Sequence, residues 1–247
     1  RLNAEGYREL VLTGIEVASY GVDLPGKPDL ADIILTVAEA APDLRLRLGS
    51  IEPTILTEEF CQRLAGSSVC PHFHLSLQSG CDRTLKAMNR KYDTAFFFAV
   101  TERLRRYFPD CSLTTDLICG FPGETEADHA ETLAFIRRCG FADMHIFPYS
   151  RRPGTPADKM AGQCTNAVKA RRCAEAQRVC DKMRQETLEK TVGTVLPVLF
   201  ETEEEGRWFG HSHNYLPVAV TGEALHGLVK NVKITGVENE ILAGFVL

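Results

Sequence analysis

Leu113-Thr114-Thr115-Asp116-Leu117-Ile118-Cys119-Gly120-Phe121-Pro122-Gly123-Glu124-Thr125 is the stretch that decides the architecture. Leu113 to Ile118 read as a strand, Pro-Gly as a turn, and Thr125 with Asp128 as a capping box that opens a helix ending near Gly140. Strand, loop and helix follow one another without a spare residue. Downstream, Met144 to Phe147 form the next strand. Upstream, Phe73, Leu75 and Leu77 alternate in one strand, and Leu44, Leu46 and Leu48 alternate with Arg45 and Arg47 in another. Glu9 to Leu12 form the earliest strand. Between them, Leu30, Ile33, Ile34, Val37, Ala38 and Ala41 have helical spacing. Thr57 with Glu58 and Glu59 starts a second helix, and Thr94 is the expected N-cap of a third through Phe97, Val100, Leu104 and Tyr107. Strand starts near 10, 44, 73, 113 and 144 lie roughly 30 to 40 residues apart, the size of βαβ units, so the fold class is α/β with parallel strands and outer helices.

From Thr165 to Lys190 the sequence is helical, with Val168, Ala176, Val179, Cys180, Met183 and Thr187 near one face, on the order of 40 Å long. This predicts a connector. Beyond Gly193 come short β-rich runs, Val195 to Phe200, Val218 to Thr221, Leu228 to Thr235 and Ile241 to Leu247, which predict a small separate β-barrel. The expected division is 1–164, 165–191 and 192–247.

The 247 residues are 44% hydrophobic and 25% charged, enough for one large core and a smaller one. No apolar run approaches the roughly 20 residues that span a bilayer, so a cytoplasmic protein without a membrane partner is expected. A formal net charge of −5 excludes nucleic-acid binding by bulk electrostatics. Local contact is still open, because residues 150–191 hold ten basic and five acidic side chains. The nine cysteines include no CxxC pair and no tight triplet, so they read as small buried hydrophobes and no metal site is expected.

In parallel α/β folds ligands bind beyond the carboxyl ends of the strands. Here those ends read Thr13-Gly14-Ile15-Glu16, Ser50-Ile51-Glu52-Pro53, Gln78-Ser79-Gly80, Gly120-Phe121-Pro122-Gly123-Glu124 and Phe147-Pro148-Tyr149-Ser150. Small residues let backbone approach a ligand, and a carboxylate, amide or hydroxyl at each tip can fix it. The set suits a mid-sized polar ligand with an aromatic part, held in one shared pocket. Asp116 lies inside an apolar strand on the side of Thr114 and Ile118. It either receives hydrogen bonds from the ligand or ties neighbouring strands together. His72, His74 and His145 read as isolated histidines.

The order and spacing of these segments, with Met88-Asn89-Arg90 and Phe147-Pro148-Tyr149-Ser150-Arg151-Arg152-Pro153-Gly154-Thr155-Pro156, resemble the radical S-adenosylmethionine (SAM) methylthiotransferases over nearly the whole chain. The wording is nearest the branch acting on threonylcarbamoyladenosine beside the tRNA anticodon, with the isopentenyladenosine tRNA branch and the ribosomal-protein branch as neighbours. The resemblance implies a partial (βα)6 barrel whose first strand and Cys-x3-Cys-x2-Cys loop are expected upstream of Arg1. It also implies a C-terminal TRAM-like barrel from about Val192. The cofactors it implies are SAM and two 4Fe-4S clusters whose ligands lie outside this chain, and its partners are a tRNA and an electron donor. The chemistry it implies is a deoxyadenosyl radical that opens the adenine ring carbon to methylthio insertion.

By motif position the resemblance assigns Thr13 and Gly14 to the SAM amino group, and Ser50 and Glu52 to its polar methionine or ribose atoms. Gln78 and Ser79 fall at the neighbouring strand end, with Asp116 beside them. Gly120, Phe121 and Pro122 fall at the adenine, next to Phe147 and Tyr149. RNA contacts are expected from Arg151, Arg152, Arg171, Arg172, Lys230 and Lys233, and no catalytic residue is assigned within this chain, which by itself is expected to be inactive. Gly49, Cys81 and Cys119 depart from the pattern and read as packing changes. A non-catalytic RNA-binding module is the competing reading.

Overall fold

The computed structural model describes all 247 residues. β1 (Glu9–Leu12) runs parallel to β2 (Arg45–Leu48), with Glu9 opposite Arg45 and Leu12 opposite Leu48. Past Gly49 the chain continues as β3 (Ser50–Ile51). β3 joins β4 (His72–Gln78), β5 (Ser112–Cys119) and β6 (Asp143–Pro148) in a parallel sheet of that order. Five parallel strand passages therefore follow the chain order read from the sequence.

The helices are α1 (Leu30–Ala40), α2 (Glu58–Leu64), α3 (Asp82–Ala87), α4 (Thr94–Tyr107) and α5 (Glu126–Cys139). Their starts are set by side chains that satisfy orphan backbone N–H groups. Asp29 and Thr125 form capping boxes with Asp32 and Asp128, and Thr57 accepts from Phe60 N. Gly140 ends α5 in the left-handed conformation, at φ 64°. Alternation then divides the strands. Phe73, Leu75, Leu77, Leu113 and Leu117 are buried beneath the helices, where each contributes about 1.5–3 kcal/mol. His74, Thr114, Asp116 and Ile118 occupy the opposite, inner face and are only half-buried.

α6 (Asn166–Thr191) begins at Thr165, which caps Val168 N. It is more than a connector. Ala176, Cys180 and Met183 belong to the large core, while Leu188 belongs to a second core with Leu196, Val198, Phe200, Val218, Val232 and Leu242. That second core fills a closed barrel of β7 (Val195–Glu204), β8 (Arg207–Ser212), β9 (Pro217–Thr221), β10 (Val229–Glu238) and β11 (Ile241–Val246). Its strands are arranged β10-β11-β9-β8-β7, with β10 also pairing β7.

Two elements have no counterpart in the sequence reading, and one helix cap is corrected. β8 is a strand of the barrel, although Arg207-Trp208-Phe209-Gly210-His211-Ser212 shows no clean alternation. α3 is a helix too short to display a helical period. The cap of α4 is Asp93, whose carboxylate accepts from Phe96 N, so Thr94 is the first helical residue.

Candidate functional site

The inner face of the sheet holds two chambers that meet at Asp116. The lower one, about 530 Å³, lies at the upstream ends of β4, β5 and β6. Its floor is the C-terminal barrel. Arg45 donates to the carbonyls of His211 (3.1 Å) and Ser212 (3.0 Å), Asn214 Nδ2 donates to Asp110 O (3.0 Å), and Ser112 Oγ donates to Asn214 O. The Tyr215 ring stacks with those of His72 (4.8 Å) and His211 (4.6 Å), with the Arg47 guanidinium 4.3 Å from its centroid. The upper chamber, about 510 Å³, lies at the downstream ends and is lined by Gln78, Ile118, Phe147, Tyr149 and Arg152.

The single pocket expected at the five strand tips is therefore replaced by two chambers. Gln78, Asp116, Phe147 and Tyr149 do meet in the upper one, and the buried Tyr149 hydroxyl makes no hydrogen bond within the protein. Ser50 lines the lower chamber instead. Thr13 and Gly14 are exposed past β1. A Cβ at Gly49 would lie 2.8 Å from Thr13 Oγ1, so the missing side chain lets these two loops touch. Glu52 turns away to pair with Arg90 at 3.0 Å. Ser79 is buried against α5, where its hydroxyl accepts from Cys81 N (3.3 Å) and sits 3.5 Å from that of Thr132.

The Gly120 loop spends its donors internally. Gly120 N and Phe121 N both donate to Glu124 Oε2, at 2.8 and 3.1 Å, which leaves carbonyl groups rather than N–H groups for a ligand. Phe121 is buried edge-on against Tyr149, 5.2 Å between centroids, and Pro122 is buried beside it. The left-handed Gly120, at φ 77°, sits against Lys169, whose ammonium donates to Tyr149 O at 2.8 Å.

None of the three histidines is isolated. Asp116 Oδ1 receives His74 Nε2 and His145 Nδ1, each at 3.2 Å, and the three donor atoms lie within 4.8 Å of one another. The contact with His74, then that with His145, holds the Asp116 carboxyl below the usual range. His145 comes from the facing register position on β6, and His74 from two residues off register on β4. Two imidazoles and a carboxylate are also a transition-metal donor set.

The polarity of the network favours a hydrogen-bonded relay over that use. Burial lowers the His72 pKa to about 3, so the ring is neutral, and its Nδ1 is buried without a partner. An unpaired lone pair costs less than an unpaired N–H. This assigns Nε2–H of His72 as donor to Thr114 Oγ1 (3.0 Å), whose hydroxyl then donates to His74 Nδ1 (2.9 Å) and leaves His74 Nε2–H for Asp116. The unused Asp116 oxygen is an acceptor between the two chambers.

Among the expected RNA contacts, Arg172 is corrected. It is 2% exposed and bonds Glu124 Oε1 (3.0 Å), the Glu124 carbonyl (3.1 Å) and Glu126 Oε1 (2.6 Å), so it cannot reach a phosphate. Arg151 is exposed but paired with Asp158, and Arg171 with Glu126 and Glu175. Arg152 and Lys230 are exposed, and Lys233 donates to Gly193 O (2.6 Å).

The model of the radical SAM superfamily matches residues 1–136. The chain belongs to the radical SAM superfamily. It is 36% identical over 95% of its length to a tRNA-2-methylthio-N(6)-dimethylallyladenosine synthase of Carboxydothermus hydrogenoformans, 54% of which it covers. It is equally similar, over 93% of its length, to the threonylcarbamoyladenosine tRNA methylthiotransferase MtaB of Bacillus subtilis, covering 52% of it. The MtaB of Thermotoga maritima is 41% identical over 68% of this chain, which covers 38% of that protein. The radical SAM chain thus spans about half the length, or less, of these curated relatives. Among solved structures, the coproporphyrinogen III oxidase HemN of Escherichia coli, a radical SAM enzyme, shares the fold at a TM-score of 0.53 and 19% identity, with 64% of this chain and 38% of that one covered.

The cysteines of this radical SAM chain do not fit an iron-sulfur cluster. All nine are free, six are buried, and the only group of three metal-ligating side chains is His74, Asp116 and His145. Burial raises Cys61 to about 11 and Cys111, Cys139 and Cys180 to about 12, opposite to what a thiolate ligand needs.

Proposed function

We propose that this chain supplies the SAM cradle and part of the RNA surface of a tRNA methylthiotransferase acting on C2 of threonylcarbamoyl-modified adenosine beside the anticodon. The observation that carries the reading is continuous similarity, over 93–95% of the chain, to tRNA methylthiotransferases of two branches. SAM, when bound with a cluster held by residues outside this chain, supplies the radical. The chain's own residues bind and orient. Phe147 and the buried Tyr149 offer aromatic surface to a nucleoside, Gln78 and Asp116 offer polar contacts, and Phe121 of the Gly120 loop backs the Tyr149 ring.

We assign residues 1–164 to a partial (βα)6 barrel, 165–191 to the helix between units and 192–247 to a TRAM-like barrel of a cytoplasmic enzyme. RNA contacts are assigned to Arg151, Arg152, Arg171, Lys230 and Lys233. The equal identity to the dimethylallyladenosine synthase supports that branch as the second reading.

Nucleoside mass spectrometry of tRNA from cells lacking the gene tests both. Loss of the methylthio form of threonylcarbamoyladenosine, with its unthiolated precursor accumulating, supports the assignment. Loss of the methylthio dimethylallyl nucleoside moves the chain to the other branch. Unchanged profiles of both refute the reading.

A further inference from the structure

The lower chamber holds an arginine nitrogen without a partner. Arg47 lines it and is only 4% exposed. Its Nε and Nη2 bind Glu9 in a fork, at 3.0 and 2.9 Å, while Nη1 is buried and makes no hydrogen bond within the protein. Glu9 also serves Arg45 at 2.8 Å, so two guanidinium groups share one carboxylate and one positive charge is left over. Leaving a buried charged donor unsatisfied is among the costlier arrangements in a folded protein.

None of the other charged groups of the chamber bonds Arg47 Nη1. Asp116 is engaged by His74 and His145, Asp143 accepts from Met144 N (2.8 Å) and Cys180 Sγ (3.5 Å), and Arg184 faces Glu240 at 3.5 Å. Beside Arg47, the His72 Nδ1 is a second buried atom without a partner, and Tyr215 holds the guanidinium plane against its ring. The result is a fixed, planar, half-satisfied guanidinium at the end of a chamber whose other end presents a free carboxylate acceptor, the unused oxygen of Asp116. A ligand matching both ends has a carboxylate at one terminus and an N–H nearer its middle.

We propose that this chamber is a carboxylate subsite anchored by Arg47, and that it takes the amino-acid substituent of the modified adenosine. The assignment of that particular substituent rests on the function proposed above. A carboxylate accepts from Arg47 Nη1, while the amide N–H groups joining the amino acid to the base fall toward Asp116. The base itself then lies toward the upper, aromatic chamber. A substituent of hydrocarbon alone would leave Arg47 unmatched.

Isothermal titration of the 247-residue chain with N6-threonylcarbamoyladenosine and with its carboxamide counterpart tests this without altering the protein. The acid is expected to bind at least about tenfold more tightly than the amide, the scale of one charge-assisted hydrogen bond. Arg47→Met should reduce that preference below about twofold. Glu9→Gln removes the carboxylate that competes for the guanidinium, and should raise affinity for the acid about threefold or more while leaving the amide unmoved. A misfolded variant cannot produce that gain.

Equal affinity for acid and amide, a preference that survives Arg47→Met, or no binding of either nucleoside at millimolar concentration overturns the subsite. Displacement of the acid by equimolar inorganic phosphate overturns the carboxylate assignment. A clear acid preference in a chain whose deletion removes only the dimethylallyl product keeps the subsite and drops the threonylcarbamoyl reading. Loss of the threonylcarbamoyl product without acid preference does the reverse.

Discussion

Replacing Arg172 with Met should lower the stability of the chain by about 3 kcal/mol. Met preserves helix propensity in α6 and fills much of the aliphatic volume, so the loss isolates the guanidinium. What remains is Glu124, 5% exposed and deprived of its only arginine partner. Breaking a buried pair from one side costs about 3–5 kcal/mol. The lower end applies because Glu124 keeps the N–H groups of Gly120 and Phe121, with the His129 ring 3.6 Å away. Glu126 is largely exposed and adds little when released. Urea denaturation followed by far-ultraviolet circular dichroism gives the free energy, and a chain of this size should also melt about 6–12 °C lower. The double variant Glu124→Gln with Arg172→Met should recover about 1–2 kcal/mol of the loss, because the stranded charge is gone. A single-variant loss under about 1 kcal/mol, or a double variant worse than the single, would refute the claim that Glu124 and Arg172 tie α6 to the Gly120 loop.

Gly120→Ala should destabilise by about 1–3 kcal/mol, since φ is 77° and the new Cβ would lie 2.5 Å from Lys169 Cγ; adding Lys169→Ala should relieve the contact but not the backbone strain, read by the same denaturation. His72 has its pKa lowered to about 3 by burial, against 6.5 in an unfolded chain. Between pH 6.5 and 3 the unfolded state therefore binds a proton that the folded state refuses, and stability must fall as pH falls, by up to about 1.4 kcal/mol per pH unit from this group. His72→Phe keeps a ring against Tyr215 and should flatten that slope in a pH series of urea midpoints, whereas an unchanged slope would assign it elsewhere. Iodoacetamide at pH 8 should label the half-exposed Cys164 first, with Cys61, Cys70, Cys81, Cys119, Cys139 and Cys180 reacting only on unfolding; peptide mass spectrometry reads the order.

The strands and most helix starts were legible because each rests on local chemistry. Leu44, Leu46 and Leu48 alternate whatever their neighbours, and the boxes of Asp29 with Asp32 and Thr125 with Asp128 close within one turn. What depends on register was not legible. His74, Asp116 and His145 each sit on the inner parity of a strand, but only the pairing of Asp116 with His145 and of Thr114 with His74 brings them together. The division into two chambers was hidden for a similar reason, since Tyr215 arrives from a loop more than a hundred residues beyond β4.

Arg172 could have been found. It lies four residues before Ala176 and eight before Cys180, on the face already read as apolar, and a basic residue there has to be buried with a partner. The unpartnered Arg47 nitrogen of the lower chamber was visible only as an unremarkable Arg45-Leu46-Arg47 alternation until Glu9 proved to be shared.

α6 lends residues to both hydrophobic cores, with Met183 in one and Leu188 in the other, little more than one turn apart. No seam therefore exists along this helix at which the protein could be divided. A scission between those two residues would open a wall of the first unit and leave a leucine of the second without cover. The small barrel is accordingly expected to unfold together with the sheet it closes, and grafting it onto a foreign scaffold requires carrying the last turn of the helix along.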